Sequence, residues 1–180
     1  CLLDLYSIYK TQGTLKNLNI YLVGDLRYGR TVHSLIMAMR HFNPTFHFIA
    51  PKELAMPDEY KLYCKEHGII FQEHTAFNEK VIADADILYM TRVQKERFFN
   101  EEDYVRLKDT YILNREKLNL AQPDMPVLHP LPRVDEIVSD VDQDPRAAYF
   151  DQVQNGKYIR MALIMALLEI PDPLTGRTVL

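Results

Sequence analysis

Glycine is scarce in this 180-residue chain, at six residues, which sets it apart from collagen-like and low-complexity sequences. Cysteine is scarcer still. Cys1 and Cys64 lie far apart with no CxxC pair, which argues against a disulfide framework or a zinc knuckle and favours a reducing cytoplasm. No apolar run approaches the ~20 residues of a membrane helix; the longest, 161–168, is far too short. Positive charge is not in excess either. Lys and Arg number 21 against 25 Asp and Glu, for a net charge of −4 and a pI near 5.9, unlike the basic surfaces that bind nucleic acid or anionic membranes. The opening CLLDLY has no basic leader before it and no small-residue cleavage site after it, so it does not read as a signal peptide. A start at Cys rather than Met reads as the middle of a longer chain.

What is present is the composition of one folded domain, 47% hydrophobic and 26% charged. Short β-rich runs at 20–23, 46–50, 69–71, 87–90 and 127–128, with a further candidate at 111–113, are separated by helical patterns. Apolar runs without strict alternation suit strands buried on both faces, and alternation with helices implies parallel strands joined by right-handed crossovers. The expected fold class is α/β: a doubly wound, mainly parallel sheet flanked by helices, a Rossmann-like three-layer sandwich. Val32, Leu35, Ile36 and Met39 form the apolar stripe of a helix over 31–39. Pro57 and Asp58 open a helix over 59–66 that Gly68 closes, 101–108 reads as another, and a helical pattern precedes Asp84 and Asp86. The run 157–169 is apolar nearly all round and should be covered on most sides. Residues 171–180 read as surface coil.

In an open parallel sheet, ligands bind beyond the carboxyl ends of the strands, where the strand order reverses. Three loops belong at that edge. The first strand ends in GDLRYGR, which puts Arg30 beside the positive end of a helix; the fourth ends in MTRVQ with Arg92; the last ends in HPLPR. Guanidinium forks pair bidentately with carboxylates, so such loops could hold a small dianion. Each has a plainer reading as well. A lone Arg after a strand is often a solvated charge, GDLRYGR is not a G-x-G-x-x-G fingerprint, and His129 could simply cap its loop. The histidines at 33, 41, 47, 67 and 74 share no ligand spacing and read as structural or exposed. Asp84 and Asp86 suit a solvated turn better than an acid–base pair. Asp140, Asp142 and Asp144 lack the glycine and closing Glu of a calcium loop.

Taken together, VGDLRYGRTVHS, ILYMTRVQKER and VLHPLPRVDEI resemble three signatures of the aspartate carbamoyltransferase catalytic chain, and the resemblance runs through most of residues 2–168 in the same order. It implies that Arg30 binds the α-carboxylate of L-aspartate and that Arg92, with Gln94, binds the β-carboxylate. The main chain of Leu131 and Pro132 would receive the amide end of carbamoyl phosphate, across a cis peptide bond. Glu96 would steady Arg92. Arg27, Tyr28, Asp103, and Asp135 with Tyr104 would belong to contacts that set open and closed arrangements. Between Phe98 and Asp103 the chain is one residue longer than the bacterial pattern.

The resemblance also implies a division of the chain: a linking helix at 1–14, an aspartate-binding α/β domain at 15–155, a returning interdomain helix at 156–170 and a tail at 171–180. No metal or organic cofactor is implied. The partners implied are L-aspartate, carbamoyl phosphate and two further full-length chains in a homotrimer, with or without regulatory chains. In the family the phosphate is held by a Ser-Thr-Arg-Thr-Arg loop, a further Arg and a His-Pro-Thr-Gln motif, with a Ser and a Lys from the neighbouring subunit. Neither motif occurs in this sequence. Leu2, Leu3, Leu5 and Ile8 on the first helix, and Leu163, Ile164, Leu167 and Leu168 on the last, would therefore lack their cover. Two rival readings are ornithine carbamoyltransferase, whose last loop carries Cys where Pro130 stands and whose cationic substrate Arg92 would repel, and a non-catalytic α/β module that senses aspartate.

Overall fold

The computed structural model describes residues 1–92 and 111–178. Its sheet contains β1 (Asn19–Val23), β2 (Thr45–Ile49), β3 (Ile70–His74), β4 (Ile87–Met90) and β5 (Val127–Leu128), in the order β3-β2-β1-β4-β5. Every pairing is parallel, so the expected doubly wound sheet is present, each strand within two residues of its expected bounds at the start and three at the end. The order reverses between β1 and β4, the site of the topological switch.

Successive side chains of a strand point to opposite faces, and the buried residues sort accordingly. Ile20, Leu22, Phe46, Phe48, Ile87 and Tyr89 face one core, built with α1 (Leu2–Gln12), α2 (Arg30–Met39) and α3 (Asp58–Glu66). Tyr21, Val23, Ile49, Leu88, Met90 and Val127 face the other, against Phe77, Ile82, Leu113, Leu118 and Val141. All four residues of the stripe on α2 are fully buried. The end of α3 is a Schellman motif: Ile69 N–H donates to the Cys64 carbonyl at 2.8 Å and Gly68 N–H to that of Lys65 at 3.3 Å.

Several expectations require correction. The twelve residues between β3 and β4 contain turns rather than a helix, with Asp84 and Asp86 drawn back to β1. Asp84 accepts the Tyr21 hydroxyl at 2.6 Å and Asp86 accepts Asn19 N–H at 2.7 Å. The candidate strand at 111–113 is an isolated bridge between Leu113 and Ile137. The expected helix over 101–108 lies outside the described residues. The last helix, α4 (Tyr149–Leu167), starts eight residues before the apolar run, because its first two turns are anchored in the domain by Tyr149, Gln152, Asn155 and Gly156. From Lys157 onward no residue of it is buried, so the expected cover is not supplied by the described residues.

The two terminal helices divide their faces differently from the expectation. Ile8 is fully buried in the core, Leu5 packs against it and Leu3 lies against Gly156, so of the four apolar residues on α1 only Leu2 stays exposed. The seam between α1 and α4 is polar. Gln152 donates to Asp4 at 2.9 Å, Asn155 to Ser7 at 3.1 Å and Lys10 to Asn155 at 3.2 Å. Satisfied polar pairs of this kind fix the register of two helices, since any slip strands a buried group. Among the described residues no helix is long and apolar enough to cross a membrane.

A candidate substrate cleft at the sheet switch point

The site begins at Gly24. Its φ of +110° is a conformation L side chains rarely adopt, and a Cβ there would stand 2.6 Å from both the carbonyl oxygen and Oγ1 of Thr91. Hydrogen alone therefore lets the loop after β1 lie against the loop after β4. Thr91 is held in turn, its N–H and its hydroxyl both donating to the Val23 carbonyl at 2.8 Å. Beyond Gly24 the loop is knotted by its own polar groups. Tyr28 N–H donates to Asp25 Oδ1 at 2.9 Å, and a His33 ring nitrogen meets the Leu26 carbonyl at 2.8 Å. The chain then enters α2, leaving Arg30 exposed at its first position, where helix amides favour an anion.

Arg92 follows Thr91 and is half buried. The loop after β5 completes the enclosure. Together Tyr28, Gly29, Arg30, Thr31, Thr91, Arg92 and the segment 129–132 line a cleft of about 220 Å³. The peptide between Leu131 and Pro132 is cis. Of the residues singled out in the sequence, Arg30, Arg92, Tyr28, Leu131 and Pro132 thus share one cleft.

Arg27 and Asp135 lie elsewhere. Arg27 turns aside, donating to the Glu53 carbonyl at 3.3 Å and lying over the Tyr28 ring. Asp135 is exposed, in a shallow depression beside Val134 and Ile137. Gln94, Glu96, Asp103 and Tyr104 lie outside the described residues. The third arginine of the three loops, Arg133, pairs with Asp142 and Tyr149. That bond raises the guanidinium pKa and holds the Asp142 carboxyl below its usual range. Asp144 is likewise taken by Arg146, at 2.8 Å, so two members of the aspartate run serve as ion-pair partners. His47 and His74 contact each other at 3.1 Å on the Tyr21 side of the sheet, away from the cleft.

Sequence reasoning left two residues unassigned that the geometry brings forward. His129 is 1% exposed, its Nε2 2.7 Å from Glu136 Oε1 and its Nδ1 2.8 Å from Leu131 N. Burial alone would push the Glu136 carboxyl up, but the His129 bond and the amides of Glu136 and Val134 together hold it below its ordinary value. The seven-residue spacing of His and Glu carries no recognisable pattern; only the folding back of the loop joins them. Thr91 was equally unmarked. The whole arrangement offers two guanidinium groups and a helix N-terminus to an anion, and a proline-bracketed main chain to a neutral polar group.

Residues 16–167 match the family model described as aspartate/ornithine carbamoyltransferase, Asp/Orn binding domain. The chain belongs to the aspartate/ornithine carbamoyltransferase family. It is 68% identical over 169 residues to the aspartate carbamoyltransferase catalytic subunit of Phocaeicola vulgatus, covering 94% of this chain and 54% of that one. A Bacteroides fragilis protein of the same description is 67% identical, with 94% and 55% covered. Among solved structures, the catalytic subunit of M. jannaschii aspartate transcarbamoylase superposes with a TM-score of 0.88 at 43% identity, over 93% of this chain and 56% of that one. The Trypanosoma cruzi enzyme in complex with N-(phosphonacetyl)-L-aspartic acid gives 0.82 at 37% identity, over 91% and 53%. This member of the carbamoyltransferase family thus spans about half the length of the curated relatives it matches.

Proposed function

We propose that this chain is the aspartate-binding half of an aspartate carbamoyltransferase catalytic chain, which converts carbamoyl phosphate and L-aspartate to N-carbamoyl-L-aspartate and phosphate in pyrimidine biosynthesis. The observation that carries this reading is the convergence of Arg30 and Arg92, from either side of the sheet's switch point, on one cleft with the 129–132 loop. Arg30, assisted by the α2 N-terminus, binds the α-carboxylate; Arg92, with Gln94 and steadied by Glu96, binds the β-carboxylate. The main chain at Leu131 and Pro132 receives the carbamoyl amide. Arg27, Tyr28, Asp135 and Tyr104 belong to contacts that change as the site opens and closes.

So fixed, the unprotonated aspartate amine attacks the carbamoyl carbon. A tetrahedral intermediate forms, the bond to the phosphate oxygen breaks with its electron pair, phosphate departs and the amine loses a proton. Orienting the nucleophile this way is worth up to roughly 7–11 kcal/mol of barrier in ideal cases. A cationic ornithine side chain beside Arg92 would be repelled, which disfavours the ornithine branch of the family.

The relatives' additional length supplies the phosphate cradle, and α1 with the outer half of α4 bridges to it. The division at 1–14, 15–155, 156–170 and 171–180 follows from that role. Full-length chains act in the cytoplasm as homotrimers, with or without regulatory chains. Measuring carbamoylaspartate formation by the full-length protein and by the 180-residue chain tests the assignment. The full-length protein should turn over and the shorter chain should not. An inactive full-length protein with an intact aspartate site would favour the aspartate-sensing reading instead.

A further inference from the structure

We infer that His129 and Glu136 are positioning residues that make the 130–132 segment an acceptor-only edge, so that the cleft selects a substrate bearing an N–H group over an isosteric acyl phosphate without one. The inference rests on the reading that this segment receives the carbamoyl end of carbamoyl phosphate.

The main chain between Pro130 and Pro132 has only one amide hydrogen to offer, because proline has none. That hydrogen is on Leu131, and it is spent on His129 Nδ1 at 2.8 Å. An imidazole nitrogen that accepts a hydrogen bond carries no proton, so the ring hydrogen must sit on Nε2. There it donates to Glu136 Oε1 at 2.7 Å. The second oxygen of Glu136 accepts Val134 N–H at 3.1 Å, which ties the same carboxylate to the loop two residues beyond Pro132.

Among the described residues no hydrogen bond ends on the carbonyl oxygens of 130, 131 or 132. What this stretch of main chain can offer a molecule in the cleft is therefore carbonyl oxygen and nothing else. A carbamoyl NH2 has two hydrogens to give such oxygens, whereas an acetyl methyl group has none and would leave them dry and unpaired.

The device is anchored from behind. His129 N–H donates to Gln152 Oε1 at 2.8 Å, Gln152 donates to Asp4, and Asp4 also accepts the Tyr89 hydroxyl at 3.2 Å. The main chain of His129 is thus tied to α4 and, through Gln152 and Asp4, to α1 and β4. Leu131 itself sits at φ +46°, a left-handed conformation that a leucine adopts only when held there. If Nδ1 ceases to accept, the Leu131 amide is released and can turn toward the cleft, where it would repel a substrate N–H.

The test compares carbamoyl phosphate with acetyl phosphate in the full-length protein at saturating aspartate, as the ratio of their kcat/KM values. A misfolded fraction cancels from this ratio. His129→Asn keeps an acceptor at the Nδ1 position, while His129→Gln and His129→Leu do not. The ratio should fall roughly tenfold to a hundredfold in the last two, mostly through the KM for carbamoyl phosphate, and stay within about threefold of the unaltered protein in His129→Asn. An unchanged ratio in all three variants would overturn the inference, as would equal collapse in all three, which would deny the Nδ1 bond its role. If the unaltered protein itself fails to discriminate, it is the assignment of the carbamoyl end to 130–132 that falls.

Discussion

Replacing Gly24 by alanine should damage both fold and site, by an amount the structure allows one to work out. The added Cβ would stand 2.6 Å from two Thr91 atoms, one of them backbone. Thr91 has no room to retreat, since its N–H and hydroxyl are both bonded to Val23 in the β1–β4 ladder. Relieving the clash costs on the order of 1–3 kcal/mol for overpacking, and an alanine at φ +110° adds roughly 1–3 kcal/mol of backbone strain. The sum, about 4 kcal/mol, is a large part of the ~5–15 kcal/mol that holds a typical domain together. Gly68→Ala is the matched control. Its φ of +68° is also left-handed, but nothing lies within 4 Å of its Cβ position, so only about 1 kcal/mol of strain applies. With a urea slope near 2 kcal/mol per M, Gly24→Ala should lower the unfolding midpoint by about 2 M and Gly68→Ala by about 0.5 M. In the full-length protein Gly24→Ala should also raise the KM for aspartate, because the loops bearing Arg30 and Arg92 are pushed apart. Equal midpoint shifts in the two variants would refute the claim that close approach at Thr91 builds the site.

Other outcomes follow from the same geometry. Arg30→Ala and Arg92→Ala in the full-length protein should each raise the aspartate requirement at least about tenfold and weaken succinate to a similar degree; unchanged kinetics would reject the carboxylate assignments. Cys64 is fully buried and burial pushes its thiol up to about 11, so at pH 8 iodoacetamide should modify the exposed Cys1 and spare Cys64, as peptide mass mapping would reveal. Because the folded Glu136 carboxyl lies below its ordinary value of 4.5, its contribution to stability is complete above about pH 4.5 and is lost as pH falls through the lower folded value; Glu136→Gln should flatten that acid limb in urea titrations and leave the slope above pH 6 unchanged. The 180-residue chain should self-associate through the exposed Leu163, Ile164, Leu167 and Leu168, and light scattering that reports a monomer at all concentrations would argue against that.

The sheet was legible because its strands are buried on both faces, so their apolar runs carry no competing pattern. The stripe on α2 was legible for the complementary reason, four apolar residues at spacings of three and four. Residues 75–86 were not, since apolar Phe77, Val81 and Ile82 are spaced as in a helix while their burial serves a turn tied to β1 through Asp84 and Asp86. The arginines could be placed on the correct edge of the sheet from the strand ends alone. Whether each would enter the cleft could not be foreseen, because that depends on competing partners. Arg133, like Arg92, belongs to a loop that follows a strand, and the return of the chain through Asp142 and Tyr149 pairs it elsewhere. His129 illustrates the same limit: its partner Glu136 becomes visible only when the loop closes on itself.

Helix α4 shows most plainly what a sequence pattern does and does not contain. An all-round apolar helix was expected to be covered, and the physical argument is sound, since each wet leucine forgoes about 1.5–3 kcal/mol of burial. That argument, however, fixes only that a cover is needed and leaves its source open. The first half of α4 finds its cover within the domain through Tyr149, Gln152, Asn155 and Gly156, while no residue from Lys157 onward is buried. The boundary falls where the polar seam with α1 ends, at Asn155 and Lys10. A helix so divided is rigid at one end and unsatisfied at the other. At the anchored end Gln152 holds the His129 amide directly, so the covered half of the helix is tied to the loop that lines the cleft.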